Sequence, residues 1–395
     1  MNIDWRRTLR ESIETHYIQN PEQEWFGVII STNGNLNLTL VSTRFAGMSV
    51  QERRDHIIKL LHENDIFIRV GFLSLFTPEQ ARKMGISKQP QREEEFYDWQ
   101  DLAIWAANAD FEGAPPIRQS RKPQTVAFYS FKSGVGCTTA LIHVAMNLVI
   151  RGSKVVVVDL DLKTPGLAAE INLNPLPQYG VVDYFYHHAN LPEDVKPEIF
   201  LSDILGEISI MNDGQLFVVP TGKLSFDYMA MVDDLHANSI TETGKDLWRT
   251  FVDEVNDSLQ PDMILVDSSS GLDQWGGFSV LRASEEAVVL LAPNEQNYQG
   301  TLLLLDALST INVPVSIVFS IVPSLDQTGS EKVLKYWQSL RHYKNVKNAS
   351  DNLPLQIPYL PTVALADHYP VPRNDYLPIV NIIDKNKGSR NNLNG

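Results

Sequence analysis

The stretch from Thr125 to Leu167 reads TVAFYSFKSGVGCTTALIHVAMNLVIRGSKVVVVDLDLKTPGL, and few folds accommodate it. Thr125–Phe131 is rich in β-branched and aromatic residues, which suit a pleated strand. Lys132-Ser133-Gly134-Val135-Gly136-Cys137-Thr138-Thr139 then supplies a glycine-containing turn. Leu141, Val144, Ala145 and Leu148 follow at helical spacing. Val155–Val158 is an unbroken apolar run, as expected of a strand buried on both faces of a parallel sheet. Strand, glycine turn, helix and strand in this order make a βαβ unit. Its free N–H groups and helix N-terminus face an anion.

Against the phosphate-loop pattern G-x-x-x-x-G-K-[ST], the segment keeps Gly136 and Thr138. It has Phe131 at the first glycine position and Cys137 at the lysine. A lysine stands early in the loop instead, at Lys132. This arrangement resembles the deviant Walker A loop of the ParA/MinD group of P-loop ATPases, KGGxGK[ST]. The wording FYSFKSGVGCTTAL, followed by VVVVDLDLKTPGL, is closer still to the KGGVGR-motif variant ATPases, where Arg usually replaces the later lysine. Cys137 departs from both patterns because it brings no fixed charge. The resemblance implies ATP and Mg²⁺ as cofactors and a nucleotide-dependent homodimer.

The loop residues divide the work expected of them. Gly134 and Gly136 let backbone N–H groups approach phosphate oxygens, and Ser133, Val135 and Cys137 complete that cradle. Thr138 places a hydroxyl where Mg²⁺ would sit, and Thr139 lies on the first helical turn, near an α-phosphate. Lys132 offers a positive charge, in cis or across a dimer. Met263-Ile-Leu-Val-Asp267 has the form of a strand that ends in the acid holding the water shell of Mg²⁺. Ser268-Ser-Ser-Gly-Leu272 resembles the family's second switch, with Ser269 in place of the usual Arg or Pro. Asp159 and Asp161 resemble its first switch: Asp159 is expected to support Mg²⁺ and Asp161 to orient the attacking water. A single Asp at a strand end is commonly no more than a cap; three at these positions are harder to explain that way. Pro293-Asn294-Glu295-Gln296-Asn297, followed by Gly300, matches the subfamily's PNxQNxxG. It is expected either to line the base or ribose or to serve as a plain loop and helix cap. Ser320 stands at or near the place of the Asn that reads adenine in relatives.

Cys137 bears on catalysis. The usual lysine neutralises charge on the β- and γ-phosphates, and losing such a contact costs on the order of 10³-fold in rate. A loop thiol with no neighbouring base is expected to be inert.

A chain of 395 residues has the length of two domains. Residues 1–88 read as a small α+β domain in the order α-β-β-α-β-α. Trp5–Tyr17 is amphipathic, Asn33-Gly34 marks a hairpin between Gly27–Ser31 and Leu36–Ser42, and Ser49 with Glu52 makes a capping box for a helix over Met48–Leu61. Ile66–Phe76 is a third strand, and Thr77-Pro78 opens a short helix. Leu38 to Glu79 resembles BolA-like domains of the class II KH-like fold. Arg54 and Arg69 stand where BolA histidine ligands would be, and His56 and His62 are not aligned with those places, so an interaction module for a protein partner is expected. Residues 89–122 read as a linker with a helix near Gln91–Asn108. Residues 123–384 alternate buried strands with helices, which predicts a doubly wound, mostly parallel α/β sheet. Residues 385–395 read as a disordered tail.

One Cys excludes an internal disulfide framework, and a net charge of −15 disfavours nucleic acid or an anionic membrane as a partner. The segment MNIDWRRTLRES lacks the apolar core of a secretion signal, and no apolar run reaches membrane-spanning length, so the cytoplasm is the expected compartment. Three functions compete on this reading. They are a dimeric ATP-driven switch with slow hydrolysis, a nucleotide-binding scaffold with little hydrolysis, and a nucleic-acid-binding regulator acting through the KH-like domain. A signalling or defence role is a further family-level expectation.

Overall fold

The computed structural model describes residues 5–30, 35–66, 68–86, 95–112, 122–191, 195, 197–210, 214–240, 246–323, 327–351, 353–369 and 371–390. They fall into two compact units, residues 1–94 with 103–117 and residues 95–102 with 118–395.

In the smaller unit, helix Trp5–Tyr17 precedes strands β1 (Trp25–Ile30) and β2 (Leu36–Val41). Helix Val50–Glu63, strand β3 (Val70–Phe76) and helix Pro78–Lys83 follow. Strand β2 is central, antiparallel to β1 and parallel to β3. The Asn33-Gly34 turn lies outside the described residues. Ser49 and Glu52 form the capping box, and Thr77 and Gln80 form another with Pro78 inside the first turn. Strand β3 starts at Val70 rather than Ile66, because Ile66 ends the preceding helix. Asp65 turns left-handed (φ 54°), the Ile66 N–H bonds to the Leu61 carbonyl, and the Ile66 side chain enters the core. Glu24 is buried among donors: the N–H groups of Gln19, Asn20 and Thr43 and the Thr43 hydroxyl all reach it at 2.5–2.7 Å. Burial pushes its carboxyl pKa up, but these bonds outweigh burial and hold it at about 2.

The larger unit opens with the start of helix Trp99–Glu112, where Asp98 Oδ1 accepts from the Asp101 N–H. Its eight described strands are β4 (Gln124–Tyr129), β5 (Lys154–Leu160), β6 (Gly206–Ile208), β7 (Gln215–Val219), β8 (Met263–Ser268), β9 (Glu286–Leu291), β10 (Val315–Val322) and β11 (Leu355–Pro358). They form one sheet in the order β11-β10-β9-β4-β8-β5-β7-β6. All neighbours are parallel except β6 and β7. This is the predicted α/β class, and the short antiparallel edge strand β6 is an addition that its three residues could not announce.

Alternate residues of each strand feed opposite layers. Val155, Val157, Met263 and Leu265 pack under helix Cys137–Ile150 and the last helix, while Val156, Val158, Ile264 and Val266 meet Phe185, Trp248 and Phe251 on the other face. The helix expected over Thr241–Leu259 is seen from Leu247, capped by Asp246; residues 241–245 lie outside the described residues. The expected tail also differs. The last helix runs Leu377–Arg390, past Asp384, because Ile379, Val380 and Ile383 anchor it in the core and each further residue adds one helical bond. Residues 391–395 lie outside the described residues.

Candidate functional site

The loop after β4 is shaped by two glycines. Gly134 (φ 78°) and Gly136 (φ 84°) are both left-handed, a conformation that a side chain makes costly. Gly136 is also the N-cap of helix Cys137–Ile150 and supplies no side-chain cap. The first N–H groups of that helix are thus left to an outside acceptor, and an anion suits them best.

The loop forms one wall of a cleft of about 530 Å³ at the carboxyl ends of the strands. This is where ligands settle in open parallel sheets. Ser133, Gly134, Val135, Gly136, Cys137, Thr138 and Thr139 all line it, as do Asp161, Glu170, Ser268 and Ser270. The far wall comes from Ser320 and from the C-terminal segment with Ile357, Pro358, Tyr359, Leu360, Tyr369 and Tyr376. Ser320 is buried, and its hydroxyl has no hydrogen-bond partner among the described residues.

Three carboxylates stand at this end of the sheet. Asp159 and Asp267 are direct partners in the β5–β8 register, and each is 1 % exposed. Asp159 Oδ1 accepts from the Asp161 N–H at 3.0 Å. Neither oxygen of Asp267 has a hydrogen-bond partner among the described residues. The Thr138 hydroxyl is close enough to favour the charged form of Asp267 in part, though outside hydrogen-bond geometry. Burial raises the pKa of both acids, and the charge of a neighbouring aspartate raises each further. Asp161 is held outside this pair: Ser269 donates to Oδ1 at 2.8 Å and Thr164 to Oδ2 at 2.7 Å. Lys163 reaches Asp273 at 2.5 Å, so two bonds tie the segment after β5 to the segment after β8.

An orphaned, buried carboxylate beside a second one and a threonine hydroxyl fits a divalent cation. Among the described residues no three His, Cys, Asp or Glu side chains converge on a ready-made metal site. A cation here would therefore complete its shell with phosphate oxygens and water, which is how Mg²⁺ is commonly bound.

Five expected site residues do not themselves line the cleft: Asp159 and Asp267 lie behind its lining, and Lys132, Pro293 and Asn294 stand apart from it. Asn294 is the N-cap of helix Glu295–Thr310 and accepts from both the backbone and the side chain of Asn297. The plainer alternative, a helix cap, describes it. The segment of Pro293 and Asn294 acts on the loop instead. Gln296 accepts from Lys132 Nζ at 2.7 Å, and a Cβ at Gly300 would sit 1.9 Å from the Phe131 ring. Lys132 is exposed at the rim and outside the cleft lining. Cys137 keeps part of its surface open, while its thiol packs on the core; burial raises its pKa to about 12. The thiol is neutral and supplies no charge to the cleft.

Sequence reasoning missed Glu170, Tyr369 and Tyr376. Glu170 Oε2 lies 3.4 Å from the Thr139 hydroxyl, which lies 3.3 Å from Tyr369 OH. His143 packs beneath, with its ring 4.6 Å from that of Tyr376 and 4.9 Å from that of Tyr369. Burial, helped by Arg373, lowers its pKa to about 4 and keeps it neutral. The tyrosines belong to no motif and reach the cleft only through chain packing.

A family model described as the CobQ/CobB/MinD/ParA nucleotide-binding domain matches residues 126–364, more than half of the chain. The chain belongs to this family. No curated protein matches significantly. Similar solved structures include the septum site-determining protein MinD of Pyrococcus horikoshii OT3 complexed with Mg-ADP. It is 18% identical, covers 65% of this chain and 89% of its own, and has a TM-score of 0.43. The cell division ATPase MinD of Pyrococcus furiosus is 18% identical over 67% of this chain and 99% of its own, with a TM-score of 0.46. A plasmid partition protein of Borrelia burgdorferi is 14% identical over 67% and 100%, with a TM-score of 0.42. Among the described residues no helix is long and apolar enough to cross a membrane.

Proposed function

We propose that the chain is a nucleotide-operated switch that binds ATP with Mg²⁺, closes as a homodimer and hydrolyses ATP slowly. The observation that carries this reading is the orphaned Asp267 carboxylate beside Asp159 and Thr138, under a helix N-terminus with no side-chain cap. In this reading the backbone N–H groups of residues 133–139 hold the phosphates, and Thr138 holds the cation with Asp267 and Asp159 behind it. Asp161 turns an unused lone pair toward the attacking water, since a carboxylate has about four acceptor sites and two are occupied here. Lys132 stands at the rim on Gln296, a placement that suits a charge delivered to a partner subunit. The BolA-like N-terminal unit passes the state to a protein partner.

A second reading has its own support. With Cys137 neutral and Lys132 outside the cleft, no lysine among the described residues lines it to neutralise developing phosphate charge, which favours a nucleotide-binding scaffold with little turnover. Calorimetry with Mg-ATP and a phosphate-release assay separate the two. Binding with turnover that Asp161→Ala abolishes supports the switch, and binding without turnover supports the scaffold. Absence of any nucleotide binding sinks both. If Lys132→Ala still dimerises with ATP, the cross-subunit role of the lysine fails.

A further inference from the structure

We propose that Glu170 is the sugar-reading residue of the cleft, accepting hydrogen bonds from the ribose hydroxyls and making the site selective for ribonucleotides over deoxynucleotides. This rests on the nucleotide reading above. Glu170 ends the short helix Leu167–Glu170 and lines the cleft. Its backbone carbonyl accepts from the Tyr369 N–H at 2.9 Å, which fixes the residue against the far wall. Its Oε2 lies 3.4 Å from the Thr139 hydroxyl, and no Lys or Arg among the described residues forms an ion pair with its carboxyl. Oε1 makes no hydrogen bond among the described residues. Glu170 is thus an acceptor-only group set beside the phosphate loop without a counter-charge.

Such a group repels phosphate, so it is not part of the cradle. It calls for a donor. A nucleotide carries donors on its sugar and on its base. On that nucleotide reading, Thr139, on the first helical turn, would adjoin the phosphate nearest the sugar, one ester bond from the sugar itself. The hydroxyls of Thr139 and Tyr369 flank the same spot and can each donate or accept. Sugar hydroxyls, which also do both, match this trio. The raised pKa of Glu170, caused by burial, is what a carboxylate short of donors shows.

The test is titration calorimetry of the full chain with Mg²⁺ and, separately, ATP, 2′-deoxy-ATP, 3′-deoxy-ATP and GTP. Wild type should bind at least one deoxynucleotide about tenfold more weakly than ATP, the size of a hydrogen bond to a charged acceptor. Glu170→Ala should weaken ATP by a similar factor and bind ATP and the deoxynucleotides alike, while Glu170→Gln, which keeps an acceptor oxygen, falls between. Wild type that binds all three adenine nucleotides equally overturns the proposal, and this arm needs no variant to fold. A Glu170→Ala protein that keeps its discrimination also overturns it. So does one that changes only the ATP-to-GTP ratio, which would place the carboxylate on the base. If wild type binds no triphosphate, the nucleotide reading falls and this inference falls with it.

Discussion

Replacing Asp267 by Asn should make the nucleotide-free protein more stable. Asp159 and Asp267 are direct register partners on adjacent strands, and both are enclosed. Strands in a sheet lie about 4.8 Å apart, which sets the scale of the separation between the two carboxyl groups. At an effective dielectric near 20, two like charges roughly 5 Å apart repel by about 3 kcal/mol. Burial disfavours the charged forms, and the charge of a neighbouring aspartate adds to this, so both pKa values are raised and protons stay on the pair. A carboxyl whose folded pKa lies above its unfolded one binds more protons folded than unfolded. Stability without Mg²⁺ therefore falls as pH rises from about 4 through the raised folded pKa. Asn keeps the volume and removes one charge. Allowing for an amide left imperfectly paired, a gain of about 1–2 kcal/mol at pH 8 is expected, or roughly 2–8 °C in a domain of this size. Scanning calorimetry at pH 8 in EDTA measures it directly. The same scans with Mg²⁺ and ATP should stabilise wild type by about 2.7 kcal/mol at a hundredfold excess over Kd. The Mg²⁺-dependent part of that gain should vanish in Asp267→Asn. If the variant melts below wild type in EDTA, repulsion is not what dominates at this pair and the reasoning fails.

Other residues make separate predictions. Glu24→Ala should cost the N-terminal unit about 2–4 kcal/mol by leaving four donors unpaired, read from urea unfolding at pH 7. Because the folded pKa of Glu24 is depressed, its contribution is full above the ordinary value of 4.5 and disappears as pH falls toward about 2. Gly300→Ala should force Phe131 and the loop aside at a cost of about 1–3 kcal/mol and weaken Mg-ATP binding. Asn294→Ala should lose only a helix cap, about 1 kcal/mol, and leave affinity unchanged by calorimetry. Cys137 should react with a disulfide reagent at least roughly 30-fold more slowly than an ordinary exposed thiol, since burial raises its pKa to about 12 and the greater nucleophilicity of such a thiolate offsets only about half of the loss; fast native labelling would contradict the buried thiol.

Legibility of the site followed distance along the chain. The loop, its helix and β5 lie within one βαβ unit, where strand and helix periodicities speak for themselves, and Asp159 and Asp161 followed from the end of an apolar run. Asp267 was legible for the same reason. Glu170 was not: its helix spans Leu167–Glu170, too short for a periodic signal, and its meaning depends on Thr139, 31 residues away, and on Tyr369, 199 residues away in sequence. Asn294 shows the converse, a segment for which the sequence left two alternatives open. Its motif resembles a ligand segment, while its side chain spends its acceptor on a helix cap. The last helix ran past its expected end because tertiary anchoring by Ile383 overrode a polar sequence.

The far wall of the cleft has a consequence for biosynthesis. The phosphate loop leaves the ribosome early, whereas a domain folds as a unit. Tyr369 and Tyr376, which close the cleft over His143, are translated more than two hundred residues after the loop. Until they arrive, the loop has lost the surface on which Thr139 and Glu170 lean. A nascent chain therefore carries the loop's residues long before those of the far wall and of the strands that flank β4, and the cleft is complete only once both are in place.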